Sequence, residues 1–249
     1  MGRVVEVFEG IEELSRRAAQ EFCRRAEEAS ARGIFSVVLS GGSTPRRLYA
    51  LLASKSEPYR ARVPWEKTHF FWSDEREVPP SDSRSNYRMA REAMLARAQV
   101  PRRNVHRILA EHPSVLKAAQ DYEEELRSFF RLEEGQRPRF DLVLLGLGAE
   151  GHTASLFPAS AVLSETRRLA AACWVPQLRA HRITLTPLAL NGAACVIFLV
   201  SGKEKAAALK AVLEGERRPD ALPAQAVRPS SGELLWFVDA AAARLLERR

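Results

Sequence analysis

Four short apolar runs, each ending in small or charged residues, constrain this chain more than any other feature: "FSVVLS" (Phe35 to Ser40), "THFFWSDE" (Thr68 to Glu75), "FDLVLLG" (Phe140 to Gly146) and "ACVIFLVSG" (Ala194 to Gly202). Runs that are apolar at consecutive rather than alternate positions belong to strands covered on both faces. Helical spacing fills the segments between them. After a first strand "VVEVF", Val4 to Phe8, the residues Ile11, Leu14, Ala18, Phe22, Ala26 and Ala29 mark an amphipathic helix ending at Gly33. Further helices are expected in "TPRRLYALLAS", over 86–98, over 114–130 and in "KEKAAALKAVLEG". Strands alternating with helices give an α/β fold: a doubly wound, mostly parallel sheet with helices on both faces. "LAAACWV" and "RITLTP" are expected to pair as a small antiparallel strand element, with Pro187 opening a brief helix. "LLWFVD" reads as a last strand before a terminal helix, and Pro219, Pro223 and Pro229 as a surface loop too short for a linker. Residues 1–249 are therefore expected to form one domain, long enough to bury a sizeable core.

Composition narrows the function classes. Hydrophobic residues make up 46% against 28% charged, and the longest apolar run, Ala193 to Val200, is far too short to cross a bilayer. The start "MGRVVEVFEG" has no apolar signal core, and Glu6 breaks the myristoylation pattern that Gly2 suggests, so a cytoplasmic location is the expectation. A formal charge of +7 raises the question of nucleic acid. Most basic residues, however, are arginines interleaved with glutamates, as in "EFCRRAEEASARG", the pattern of solvated helix faces. A basic pocket for a small anion is expected instead, with no nucleic acid, no membrane and, by default, a monomer. Cys23, Cys173 and Cys195 lack paired spacing and read as free thiols, and neither they nor the five histidines have metal-ligand spacing.

The chemistry concentrates at the strand ends. In "SGGSTP", Thr44 is the expected N-cap and Pro45 the first helical residue, so backbone N–H groups of Gly41, Gly42, Ser43 and Thr44 face a potential anion. Gly41 and Gly42 are expected to let that anion approach closely. The Walker lysine is missing, which disfavours a nucleoside triphosphate. "FFWSDER" brings together Asp74 and Glu75, candidates for proton transfer or hydroxyl binding, and Arg76, a candidate phosphate ligand. "SGKEKA" is a second helix start suited to an anion, with Lys203 and Lys205 adding charge, and Arg182 in "HRITLT" is a further cation.

"GLGAEGHTASLFP", Gly146 to Pro158, matches G-x-G-x-x-G after a strand, the fingerprint of dinucleotide binding. A Rossmann helix would run on for several turns past Gly151, whereas Pro158 arrives seven residues later. The loop instead presents His152, whose type suits a general base near neutral pH. In an open parallel sheet ligands bind beyond the carboxyl ends of the strands, so the four endings are expected to form one pocket.

Taken in order, "SGGSTP", "FFWSDEREVP", "SNYRMAREAML", "GLGAEGHTASLFP", "RITLT" and "SGKEKA" resemble the 6-phosphogluconolactonases, relatives of the glucosamine-6-phosphate deaminases and ribose-5-phosphate isomerases. The resemblance covers nearly the whole chain. It implies hydrolysis of 6-phospho-D-glucono-1,5-lactone to 6-phosphogluconate, the second step of the oxidative pentose phosphate pathway, without cofactor or metal. It also implies that His152 activates water, that Asp74 and Arg76 line the pocket, and that Gly41–Thr44, Gly151, Arg182 and Lys205 hold the sugar phosphate. Glu150 stands where the family usually has Asp. The rival expectations are a deaminase or isomerase of an amino sugar phosphate, which would use a further acidic residue where this chain continues "TASLFP", a non-catalytic sugar-phosphate sensor, and an NAD(P)-dependent dehydrogenase.

Overall fold

The apolar runs become strands whose order in space differs from their order in sequence. The computed structural model describes residues 3–247; the acylation question raised by Gly2 lies outside the described residues. β1 (Arg3–Phe8) leads into α1 (Ile11–Ala31), and β2 (Phe35–Leu39) into α2 (Ser43–Ala53) and the short α3 (Tyr59–Arg62). β3 (Thr68–Trp72) is followed after one residue by β4 (Asp74–Arg76). α4 (Asn86–Ala90) continues through a π-helical turn at Arg91–Leu95 into α5 (Ala96–Ala98), and α6 (Val115–Phe130) precedes β5 (Leu142–Leu145). β6 (Ala170–Val175), β7 (Ala180–Leu185), α7 (Pro187–Leu190), β8 (Cys195–Val200), α8 (Ala206–Glu214), β9 (Glu233–Asp239) and α9 (Ala240–Ala243) complete the chain.

Six strands form one parallel sheet in the order β1-β9-β8-β5-β2-β3, and β4-β7-β6 form a small antiparallel sheet beside it. Every residue of β2, β5 and β8 is buried, as strands covered on both faces require. The sheet core includes Phe35, Phe70, Phe71, Phe198 and Phe237. The expected α/β class and the antiparallel β6–β7 pair are both present. No described helix is long and apolar enough to cross a membrane, and no described group of His, Cys, Asp or Glu could hold a metal ion. All three cysteines are free thiols; Cys23 and Cys195 are buried and Cys173 is half-buried.

Three local expectations need correction. "THFFWSDE" is not one strand: the chain leaves the parallel sheet at Ser73, whose N–H donates to Leu39 O and whose carbonyl accepts from Leu185 N, so a single residue bonds to both sheets. Thr44 is not the N-cap of α2. The helix begins at Ser43 behind Gly42, whose φ of 113° favours glycine, and Thr44 is buried within the first turn. Pro223, finally, is buried and opens a 3-10 turn rather than lying on the loop surface.

Two buried tyrosines secure the strand ends near the site. The Tyr49 hydroxyl accepts from Ser40 N and donates to Ser40 O, each at 3.0 Å, just past β2. The Tyr122 hydroxyl does the same at Trp72 N and O, at 2.8 and 2.9 Å, on the last residue of β3. Each hydroxyl satisfies a backbone pair that the sheet leaves open, and burial pushes both phenols above their ordinary pKa.

Candidate active site

The strand order makes one site out of four loops. β8, β5, β2 and β3 are consecutive neighbours in a parallel sheet, so the loops after them leave the same edge, within about 15 Å across three strand spacings. The topological switch lies here too: from β2 the chain goes outward to β3 and returns to β5 on the other side. This is where α/β sheets bind ligands.

The loop after β5 carries His152. No helix follows the three glycines; the chain turns back on itself, with Gly148 N donating to His152 O at 2.8 Å and Gly151 N to Gly148 O at 3.0 Å. Gly148 is required by close approach. A Cβ there would lie 2.0 Å from His152 Nδ1, so the imidazole occupies the space a side chain would take. Gly151, at φ 82°, sits in the left-handed region and packs on Leu222. The His152 ring stacks on Phe157, with centroids 4.3 Å apart. Its Nδ1 is enclosed, 3.1 Å from Glu150 Oε1 but not aligned as a hydrogen bond. Nε2 is left as the accessible ring nitrogen.

Ser155, three residues on, binds this loop to every strand of the small sheet. Its hydroxyl donates to Asp74 Oδ2 on β4 at 2.7 Å, its N–H to Thr184 Oγ1 on β7 at 3.3 Å, and its carbonyl accepts from Cys173 Sγ on β6 at 3.6 Å. Asp74 is thereby heavily engaged: its other oxygen accepts from Ser73 Oγ at 3.1 Å and Asn86 Nδ2 at 3.3 Å. Glu75 has turned away from the site. It accepts from the N–H groups of Arg76, Asn86 and Tyr87 and from Ser85 Oγ, at 2.7–3.0 Å, and so caps α4. Burial holds its carboxyl above the usual range against those four donors.

Arg76 and Arg182 face each other across the β4–β7 pair. Arg182 is half-buried, and burial, with the charge of Arg76 second, pushes its guanidinium below its ordinary pKa. Their hydrogen bonds go to backbone carbonyls, of Arg84 and His181. Neither is ion-paired among the described residues. Like charges opposed on adjacent strands repel, so the arrangement favours an anion between them.

At the Gly41–Thr44 loop the two glycines differ. A Cβ on Gly41 would lie 1.9 Å from Asn86 Oδ1, so its missing side chain makes room for Asn86 and not for a ligand, contrary to expectation. Gly42 and Ser43 are exposed at the start of α2, where the helix dipole favours an anion. After β8, the Ser201–Gly202 turn is anchored by Asp239 at the end of β9, which accepts from Ser201 Oγ at 2.5 Å and Gly202 N at 3.1 Å. Lys205 lies at the start of α8, half-exposed and without an ion pair among the described residues.

Asn86, Ser155 and Asp239 were missed as site residues. Asn86 and Ser155 lie inside "SNYRMAREAML" and "GLGAEGHTASLFP", so the stretches were marked but not these residues, whereas Asp239 is given away only by its tertiary contacts.

Comparison with known proteins gives the family. The family model described as glucosamine-6-phosphate isomerases/6-phosphogluconolactonase matches residues 9–236. The 6-phosphogluconolactonase of Synechocystis sp. is 41% identical over 216 residues, covering 87% of this chain and 86% of that protein. The human 6-phosphogluconolactonase is 40% identical over 98% of this chain and 93% of its own length. Among solved structures, the 6-phosphogluconolactonase from Trypanosoma cruzi superposes with a TM-score of 0.85 at 30% identity, covering 99% of this chain and 97% of that one.

Proposed function

Because the chain belongs to the family of glucosamine-6-phosphate isomerases and 6-phosphogluconolactonases, we propose that it hydrolyses 6-phospho-D-glucono-1,5-lactone to 6-phospho-D-gluconate, the second step of the oxidative pentose phosphate pathway, as a cytoplasmic enzyme. The observation that carries this reading is His152, held with Nδ1 enclosed beside Glu150 and Nε2 accessible, on the central one of three adjacent loops whose neighbours carry the Lys205 and Gly42 helix starts. The names of the relatives support a lactone over an amino sugar.

The Glu150 carboxylate favours the tautomer with the proton on Nδ1, which leaves the Nε2 lone pair free. Nε2 takes a proton from water as the water oxygen attacks C1 of the lactone. The carbonyl becomes a tetrahedral oxyanion. When that collapses, the bond from C1 to the ring oxygen breaks, and the ring oxygen takes the proton back from the imidazolium. The products are an open-chain hydroxyl and a carboxylic acid that ionises at neutral pH. No redox partner enters. Arg76, Arg182, Lys205 and the N–H groups at Gly42 and Ser43 hold the phosphate, so binding energy remote from C1 orients the ring. The longer side chain of Glu150, relative to Asp, still reaches Nδ1 at 3.1 Å.

Asp74 serves this reading as a positioning residue. With both oxygens engaged by Ser155, Ser73 and Asn86 it has little capacity left to accept a substrate proton. Its charge offsets part of the repulsion between the two arginines, and its bond to Ser155 holds the His152 loop against them.

The test is formation of 6-phosphogluconate from the lactone, corrected for spontaneous hydrolysis, beside an assay for ammonia released from glucosamine 6-phosphate. Catalysed lactone opening without ammonia supports the proposal. Ammonia release, or neither reaction, overturns it.

A further inference from the structure

A cavity of about 540 Å³ opens at the other edge of the parallel sheet, where the strands begin. Its wall takes Arg3 from the start of β1, Leu234 from the start of β9 and the C-terminal end of α8. None of its lining residues belongs to the loops that carry His152, Asp74, Gly42 or Lys205, and the one direct link to them is backbone, from Ala224 N to Gly151 O at 2.9 Å. A six-residue strand such as β8 separates the two edges by about 20 Å.

The lining is one-sided in charge. It includes Arg3, Arg217 and Arg228, and no carboxylate. Glu216 and Glu233, next in sequence to lining residues, are not part of the wall, and Glu233 is ion-paired with Arg25 at 3.0 Å. Arg217 and Arg228 have no ion pair among the described residues. Carbonyls at the end of α8 would ordinarily repel an anion. Here they are occupied: Arg3 Nη2 donates to Leu213 O, and Gln225 Nε2 to Ala211 O at 3.4 Å and Val212 O at 3.2 Å. Gln225 also accepts from Arg218 N at 2.6 Å and donates to Glu216 O at 3.1 Å, so the loop bearing Arg217 is held in place without a ligand.

Apart from Gln225 the rest of the wall is apolar, and it includes Trp236. That residue is 2% exposed, its ring stacked on Phe198 at 3.9 Å, yet its Nε1–H has no hydrogen-bond partner among the described residues. A buried indole N–H without an acceptor is costly. Three cations and an apolar floor, in a volume within the roughly 300–1,000 Å³ range of small-molecule sites, define a ligand with an anionic end and a flat apolar end.

We propose that this cavity is a second, non-catalytic binding site for an organic phosphate with a planar ring, a nucleoside diphosphate being the best match in charge and shape. Two phosphates satisfy the guanidiniums in bidentate fashion. The base lies on the apolar wall beside Trp236.

The experiment is calorimetric titration of the full chain with ADP, with inorganic pyrophosphate and adenosine as probes of the two halves of the ligand. One ADP per chain is expected, with pyrophosphate weaker and adenosine weaker still. The double variant Arg217→Ala/Arg228→Ala should weaken ADP at least tenfold, because it removes two charge-assisted contacts to the phosphates. Its melting curve and lactone hydrolysis should match the wild type, since both side chains are exposed and neither belongs to the loops that carry His152 and Lys205. Arg182→Ala should leave ADP binding unchanged. The proposal is overturned by absence of ADP binding up to about 1 mM, by undiminished binding in the double variant, or by binding that Arg182→Ala abolishes, which would move the nucleotide to the catalytic edge. Pyrophosphate binding as tightly as ADP would refute the role of the ring. None of these outcomes depends on whether the chain hydrolyses a lactone.

Discussion

Gly148→Ala separates the position of the His152 ring from every other property of the site. The added methyl would lie 2.0 Å from Nδ1, 2.2 Å from Cε1 and 2.7 Å from Cγ of His152. Ordinary contact requires about 3.5 Å, so the ring must retreat by about 1.5 Å, against the Phe157 face on which it stacks. The φ of Gly148 is not in the left-handed region, so alanine adds no backbone strain of its own. A misplacement of about 1 Å can cost about 10²-fold in rate. We therefore expect kcat to fall about 10²-fold while product affinity, set by cations on other strands, stays within about threefold. Gly146→Ala is the internal control: no atom lies within 4 Å of its Cβ position, so the rate should be unchanged. The assay is initial-rate lactone hydrolysis by base consumption at constant pH, with 6-phosphogluconate affinity measured by calorimetry. If Gly148→Ala retains wild-type kcat, the geometry of the imidazole seat does not set the rate and the reasoning fails.

Other perturbations act on separate parts of the site. His152→Ala should lose about 10² to 10⁴-fold in kcat and still bind product; unchanged turnover would remove it from the mechanism. Arg182→Ala should weaken product binding at least tenfold by calorimetry, as loss of a charge-assisted contact implies, and Lys205→Ala should act in the same direction; wild-type affinity in both would exclude the assigned phosphate site. Ser155→Ala removes the 2.7 Å donor to the buried Asp74 and should cost about 1–3 kcal/mol in urea unfolding, which a wild-type midpoint would contradict. His69, held down to about 4 by burial first and then by His106 and Arg103, stays neutral in the folded protein where the unfolded chain protonates. Its contribution to stability is complete above pH 6.5 and is lost as pH falls toward 4. Melting curves of His69→Gln across that window should show a shallower acid loss than wild type.

How far the site was legible in the sequence depended on how local its causes were. Asp74 and Glu75 are the instructive pair. Adjacent in sequence and both carboxylates, they had equal claim to chemistry. The chain's exit from β3 at Ser73 sends Asp74 toward Ser155 and Glu75 toward three donors at the start of α4. Which way each points follows from a pairing with β7 more than a hundred residues away. Gly41 is similar. Its place beside a helix start suggested room for an anion, but Asn86 arrives from the start of α4 to fill that space.

What the sequence determined by itself was most of the elements, the split of "THFFWSDE" into β3 and β4 excepted, and the residue types at their ends. Consecutive apolar residues require burial on both faces, helical spacing requires one buried stripe, and Pro158 ends any helix that Gly151 could open; each is a property of a short window. The resemblance carried by "GLGAEGHTASLFP" likewise sits in one contiguous stretch. Only the tertiary structure decided the strand order that sets the four loops side by side, the opposition of Arg76 and Arg182, the enclosure of Nδ1 against Glu150, and the basic cavity at the far edge. These rest on register and packing between segments tens to hundreds of residues apart, which no short window of sequence specifies.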